Sequence, residues 1–186
     1  KYGILLLADE VITGFGRLGT WFASDFYGIK PNLITFAKAA TSGYIPLSGL
    51  LVDDKIVEAL MSKDDDFNHG YTFSGHPVAC AVALKNLEIM ERDRLVPKVK
   101  ETTGPALAKL LGRFKDHPLV GEVRSVGMLG AIELVADKKT RRRFADPGRV
   151  GLVCRDHFFR EGFIMRAVWD TMVCAPPLRP VTSALA

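Results

Sequence analysis

Two residues in this chain carry side chains that could do chemistry, and each follows an apolar run. Lys38 sits in ITFAKAATSGYIPLSG, residues 34–49, between an apolar stretch and a series of small residues. Asp9 closes ILLLAD, residues 4–9, and is followed by Glu10. Lysine is rarely buried without a partner, so the Lys38 amine either snorkels to water or has a reaction to serve. Asp9 alone is a helix cap, a surface ion pair or a functional carboxylate. In open α/β sheets, ligands bind beyond the carboxyl ends of the strands, and both residues fall at such ends. Together they suggest a site whose chemistry residue types and spacing do not name.

The elements that must position them are legible. The run ILLLA at 4–8 reads as a strand buried on both faces, as in a parallel sheet. LITF at 33–36 and SGLLV at 48–52 are further strands. Asp53 or Asp54 caps a helix through about Met61. KDDDFNHG is a polar loop, and Pro77 stands where a first helical residue belongs. Val78, Ala81, Val82, Leu87 and Met90 mark the apolar face of the helix that follows. Near Glu91 the character changes. Leu95–Phe114 reads as a helix despite Gly104-Pro105 within it, and LVGEVRSVGMLGAIELV alternates as antiparallel strands do. Asp146-Pro147 opens a helix through Arg160, and FIMRA and TMVCA are short strands. The expected organisation is α/β over 1–91, with a parallel-type sheet, and α+β over 92–186.

Bulk properties bound the function. The chain has 186 residues, 48% hydrophobic and 25% charged, with a net charge of +4. These are values of an ordinary globular protein with no stretch suited to a membrane span. KYGILLLADE is too short and too quickly acidic for a secretory signal. The basic run DKKTRRRF at 137–144 lacks aromatic interleaving and reads as a solvated turn rather than a nucleic-acid patch. Cys80, Cys154 and Cys174 form no metal or disulfide pattern and fit a reducing cytoplasm. TGFGRLG, residues 13–19, is a weak phosphate-loop signal and reads as a turn past the strand, with Arg17 a structural ion-pair candidate.

Four motifs then occur in order: ADEVITGFGRLG (8–19), TFAKAATSGYIPLSG (35–49), FNHGYTFSGHP (67–77) and IMRAVWDTMVCAPPL (164–178). They resemble the class III aminotransferases, and within them the pyruvate-dependent omega-transaminases of the β-alanine and putrescine type. The resemblance runs from residue 1 to about 178. It implies the type I fold of pyridoxal-phosphate-dependent transferases, with 1–91 the C-terminal part of the cofactor-binding large domain and 92–186 a small domain.

The resemblance also assigns roles. Lys38 matches the lysine that forms a Schiff base with the aldehyde of pyridoxal 5′-phosphate and later carries a proton as general base and acid. Asp9 matches the aspartate that keeps the pyridine nitrogen protonated, so that the ring serves as electron sink. Val11 matches the residue packed on the ring face. Thr72 matches the threonine that reaches the phosphate of the neighbouring subunit's cofactor, which implies a homodimer or homotetramer. Arg166 matches the arginine that clamps a substrate carboxylate; Trp169 stands nearby where related sequences often carry a small or polar residue, and the expectation is a narrower pocket. The implied reaction moves an amino group from an amine or ω-amino acid to pyruvate. The alternatives are an inactive fragment or an aminomutase of the same family. Because the family's Gly-Ser phosphate loop has no counterpart and RPVTSALA departs from the expected C-terminal helix, the expectation is a fragment of such an enzyme.

Overall fold

A computed structural model describes residues 2–62 and 67–179. The chain divides into two compact units, Lys1–Val96 and Pro97–Ala186, a few residues beyond the change of character at Glu91.

The first unit runs β1 (Leu7–Asp9), α1 (Ala23–Tyr27), β2 (Leu33–Phe36), a 3-10 turn (Lys38–Thr41), β3 (Gly49–Val52), α2 (Asp54–Met61) and α3 (Pro77–Arg92). Its sheet has the order β1-β2-β3. β1 and β2 are parallel, with Asp9 opposite Thr35. β2 and β3 are antiparallel, with Phe36 opposite Gly49, so the sheet is mixed rather than wholly parallel. The Phe36 ring lies over Gly49, where any Cβ would collide with it. The same ring meets Phe15 edge-on at 5.7 Å.

One expectation fails here. The run at 4–8 is not a strand buried on both faces: β1 begins only at Leu7, and Ile4 is 81% and Leu5 58% exposed. β1 is an edge strand, with Leu7 and Asp9 exposed and Ala8 half-buried. Pairing of this run begins at Leu6, whose carbonyl accepts from the N–H groups of Asn32 (2.8 Å) and Leu33 (3.1 Å).

Helix starts follow their capping chemistry. The Asp53 side chain accepts from the Lys55 N–H at 3.1 Å and opens α2. Pro77 is at the first turn of α3, where its missing N–H costs nothing. Of the polar loop expected before it, residues 63–66 lie outside the described residues, and 67–70 have no regular structure. The turn over 11–22 closes through Gly14 N–H to the Glu10 carbonyl (2.9 Å) and Phe15 N–H to the Trp21 carbonyl (2.6 Å).

The second unit contains α5 (Gly104–Gly112), β4 (Val120–Val126), β5 (Leu129–Leu134), α6 (Arg149–Arg160), β6 (Arg166–Val168) and β7 (Thr171–Cys174). Before α5 come α4 (Leu95–Lys98) and a π-helical turn (Val99–Thr103). The helix expected over 95–114 thus exists, with a wider turn ahead of Pro105, whose ring and missing N–H do not fit an α-helical interior. The sheet is antiparallel in the order β4-β5-β7-β6. Its core holds Val99, Leu107, Leu111, Met128, Met165, Met172 and Cys174. Val123, Ile132, Met172 and Ala167 are paired in register across the four strands and so share one face.

α6 starts at Arg149, later than Asp146-Pro147 suggests. Its cap comes from far along the chain: the Asp170 carboxylate accepts from Gly148 N–H (2.8 Å) and Gly151 N–H (3.0 Å). The basic run closes on itself as a turn, with Asp137 bridged to Arg142 and accepting from the Thr140 N–H at 3.0 Å. Among the described residues no helix is long and apolar enough to cross a membrane.

Candidate active site

Lys38 owes its position to the end of β2. After Phe36 the chain passes Ala37 and enters the 3-10 turn at Lys38, whose φ is 42°. That is left-handed backbone, sparsely populated by residues other than glycine, and such residues cluster at functional sites. Ser42 (φ 54°) and Gly43 (φ 76°) continue the reversal. The turn is anchored on its inner side. Ala40 and Thr41 are buried, the Thr41 hydroxyl donates to the Ile45 carbonyl (2.6 Å), and Asn86 of α3 donates to the carbonyls of Ala39 (2.9 Å) and Ala40 (3.1 Å). The Lys38 side chain is left exposed.

Asp9 is the last residue of β1. Its Oδ1 accepts from the Thr35 hydroxyl across the strand pair (3.0 Å) and from the Val11 N–H (3.2 Å). Both donors fall on one oxygen, so the carboxylate is oriented while Oδ2 stays available. Because β1 and β2 are parallel, Asp9 and Lys38 emerge at the same end of the sheet, Lys38 three residues beyond the Asp9 partner Thr35. Val11 follows, half-buried, in the turn beyond the strand.

Glu10 points the other way. It is 2% exposed and accepts from Thr13 Oγ1 (2.7 Å), Ala23 N–H (2.7 Å) and Ser24 N–H (2.6 Å), the last two at the start of α1. Burial pushes its carboxyl pKa up, but the hydrogen bonds from Ser24, Thr13 and Ala23 outweigh burial and hold it below the ordinary glutamate value. Sequence reading passed over Glu10, Thr35 and Asn86. Only Glu10 had a signal, a carboxylate placed directly after an apolar strand.

An open cleft of about 800 Å³ lies beside Lys38, lined also by Leu47, Ser48, Tyr71, Phe73 and His76. Asp9, Val11 and Thr72 do not line it. Thr72 is exposed in the turn before α3, a turn held by Ser74 N–H to the Tyr71 carbonyl (2.9 Å) and Tyr71 N–H to Ser74 Oγ (3.0 Å). Arg166 belongs to the second unit, exposed at the start of edge strand β6 and in register with Val173. Trp169 is 72% exposed in the β6–β7 turn, its backbone packed on Gly148 and Gly151.

An amine on strained backbone at a strand end, a fixed carboxylate on the neighbouring parallel strand and an adjoining cleft suit an aldehyde cofactor with a basic ring nitrogen. A primary amine and an oriented carboxylate at one end of a parallel strand pair are compatible with such a cofactor. The fold is the α/β fold of the pyridoxal-phosphate-dependent transaminases. The chain belongs to the class-III aminotransferases, whose family model matches residues 1–178. Pyridoxal phosphate is the cofactor of that family.

The chain is 57% identical over 178 residues to putrescine–pyruvate aminotransferase of Pseudomonas aeruginosa, covering 96% of this chain and 39% of that protein. It superposes on an (S)-enantioselective omega-transaminase from Thermomicrobium roseum with a TM-score of 0.93 at 46% identity, covering 99% of this chain and 41% of that one. On the omega-transaminase of Pseudomonas jessenii in complex with PMP the TM-score is 0.94 at 38% identity, with the same coverage of 99% and 41%. The chain thus spans about two-fifths of the length of these relatives.

Proposed function

We propose that the full-length protein transfers an amino group from an amine or ω-amino acid to pyruvate. The observation that carries this reading is the placement of Asp9 and Lys38 at the carboxyl ends of two adjacent parallel strands, with Lys38 at a cleft. Similarity to a putrescine–pyruvate aminotransferase supports the choice of donor and acceptor.

Pyridoxal phosphate, when bound, supplies an electron-poor ring that stabilises negative charge at the substrate carbon. The chain's own residues supply the rest. The Lys38 amine, on a flexible four-carbon stem, holds the cofactor and then accepts and returns the proton of the substrate carbon. Asp9, oriented through Oδ1, would hold the ring nitrogen and favour its protonated form, and Val11 would help to hold the ring. Arg166 binds the substrate carboxylate, and Thr72 reaches the phosphate in a neighbouring subunit, in a homodimer or homotetramer acting in the cytoplasm. Residues 1–91 then form part of the cofactor domain and 92–186 the small domain.

The test is borohydride reduction of the full-length, cofactor-loaded protein, followed by peptide mapping. A pyridoxyl group on Lys38, together with alanine formation from pyruvate and putrescine or β-alanine, is expected. The Asp9→Asn variant should still bind cofactor yet lose about a thousandfold in rate, the scale on which a preorganised charge partner acts. Label on another lysine, or near-normal turnover by Asp9→Asn, would overturn the assignment.

A further inference from the structure

The backbone that presents Lys38 is held from outside its own turn. Four short-range bonds close the turn: Ala40 to Ala37 (3.0 Å), Ser42 to Ala39, Gly43 to Lys38 and Tyr44 to Thr41 (each 3.1 Å), N–H to carbonyl. The Ser42 and Gly43 bonds are the paired bonds of a Schellman turn and set left-handed backbone at Ser42, whereas the Ala40-to-Ala37 bond around Lys38 forms in turns of either handedness and does not by itself select φ 42° there. A contact from outside the turn comes from α3. Asn86 Nδ2 reaches the carbonyls of Ala39 and Ala40, the two residues after Lys38, and lies 3.7 Å from Met90 Sδ. Asparagine is a poor residue for a helix interior, because its side chain competes for nearby backbone groups. Here the carboxamide turns away from its own helix and spans a chain separation of about fifty residues to reach the turn.

We infer that Asn86 is a positioning residue for the Lys38 amine. By clamping both carbonyls it fixes the peptide planes after Lys38, and with them the direction in which the side chain leaves the backbone toward the cleft. Without the two donors those carbonyls lose their partly buried partners, and the turn relaxes toward right-handed backbone that re-aims the stem. The inference rests on the reading of Lys38 as the cofactor-binding lysine.

Three variants of the full-length protein test it. Asn86→Leu matches the volume without donors, Asn86→Asp matches the shape without donors, and Asn86→Gln keeps a carboxamide. In cofactor-free protein, amide exchange of the peptide covering 37–45 should quicken about tenfold in the Leu and Asp variants, as loss of one or two net hydrogen bonds predicts. The hairpin over 120–134 serves as the unchanged reference. In loaded protein, borohydride-fixed label on Lys38 should fall several-fold, and kcat should fall about tenfold with little change in KM for the amine. Asn86→Gln should restore most of each signal. Wild-type exchange and labelling in the Leu and Asp variants would overturn the inference. So would equal losses in all three variants, which mark a general packing role. If the wild-type protein itself takes no label on Lys38, the proposed function fails instead, and the exchange measurement still decides whether Asn86 clamps the turn.

Discussion

Asp9 and Glu10 are chain neighbours with opposite environments. Asp9 is exposed, with one oxygen engaged, whereas Glu10 is buried and takes three donors. Glu10 thus replaces the missing cap of α1, whose own N-cap, Phe22, has no side-chain acceptor. Glu10→Ala leaves those donors unmet and should cost about 2–4 kcal/mol, read as a lower urea midpoint. The pH dependence has a definite sign. With its folded pKa depressed, Glu10 stabilises the fold fully above the ordinary glutamate range, and this is lost as pH falls through the lower folded value. The gap in stability between wild type and Glu10→Gln should therefore narrow below about pH 4. A gap that widens on acidification would contradict the hydrogen-bond account. Arg166 is exposed and, among the described residues, in no ion pair. In the full-length protein, Arg166→Ala should weaken the half-reactions with pyruvate and β-alanine by about 2–4 kcal/mol, with far less effect on the half-reaction of a simple amine. Equal losses on both substrate types would make Arg166 structural.

Among elements, the helical run before β4 depends on a glycine where two helix types join. Gly104 and Pro105 sit where the π turn passes into α5. A Cβ at Gly104 would stand 2.5 Å from the Val99 carbonyl oxygen and 3.1 Å from Gly127 Cα, both backbone atoms that cannot rotate away. Gly104→Ala should destabilise the second unit by about 1–3 kcal/mol, as overpacking does, despite the better helix propensity of alanine. A thermal melt showing stabilisation would mean that the β4–β5 turn yields. The cap of α6 offers a parallel case. Asp170→Ala removes acceptors for Gly148 and Gly151 and should cost about 1–2 kcal/mol, seen as faster amide exchange in the first turn of that helix.

At the scale of the whole molecule, several large apolar side chains are exposed. Tyr2 (79%), Ile4 (81%), Leu5 (58%), Leu6 (48%) and Leu7 (51%) are exposed in the segment that leads into edge strand β1. Long apolar edges of this kind favour association over a defined monomer. The second unit has its own core and an antiparallel sheet of four strands. The 186-residue chain on its own is therefore expected to self-associate in light scattering and to form no alanine from pyruvate with putrescine or β-alanine. Turnover above a Lys38→Ala control would show that this stretch alone builds a working site.

Much of this was legible in the sequence because it is local. LITF is β2 residue for residue, Asp53 caps α2, and Pro77 opens α3, since strand propensity, side-chain capping and proline geometry act within a few residues. Lys38 and Asp9 stood out because a charge at the end of an apolar run is conspicuous, and ordered motifs gave the family. The tertiary structure decided what depends on distant partners. It turned β3 antiparallel, left Ile4 to Leu7 exposed, and delayed α6 until the Asp170 carboxylate could cap it. Above all it brought Glu10 to the start of α1, Thr35 to Asp9 and Asn86 to the Lys38 turn. A hydrogen bond between residues far apart in the chain is settled by which groups the fold brings together, and no window of neighbouring residues contains that information.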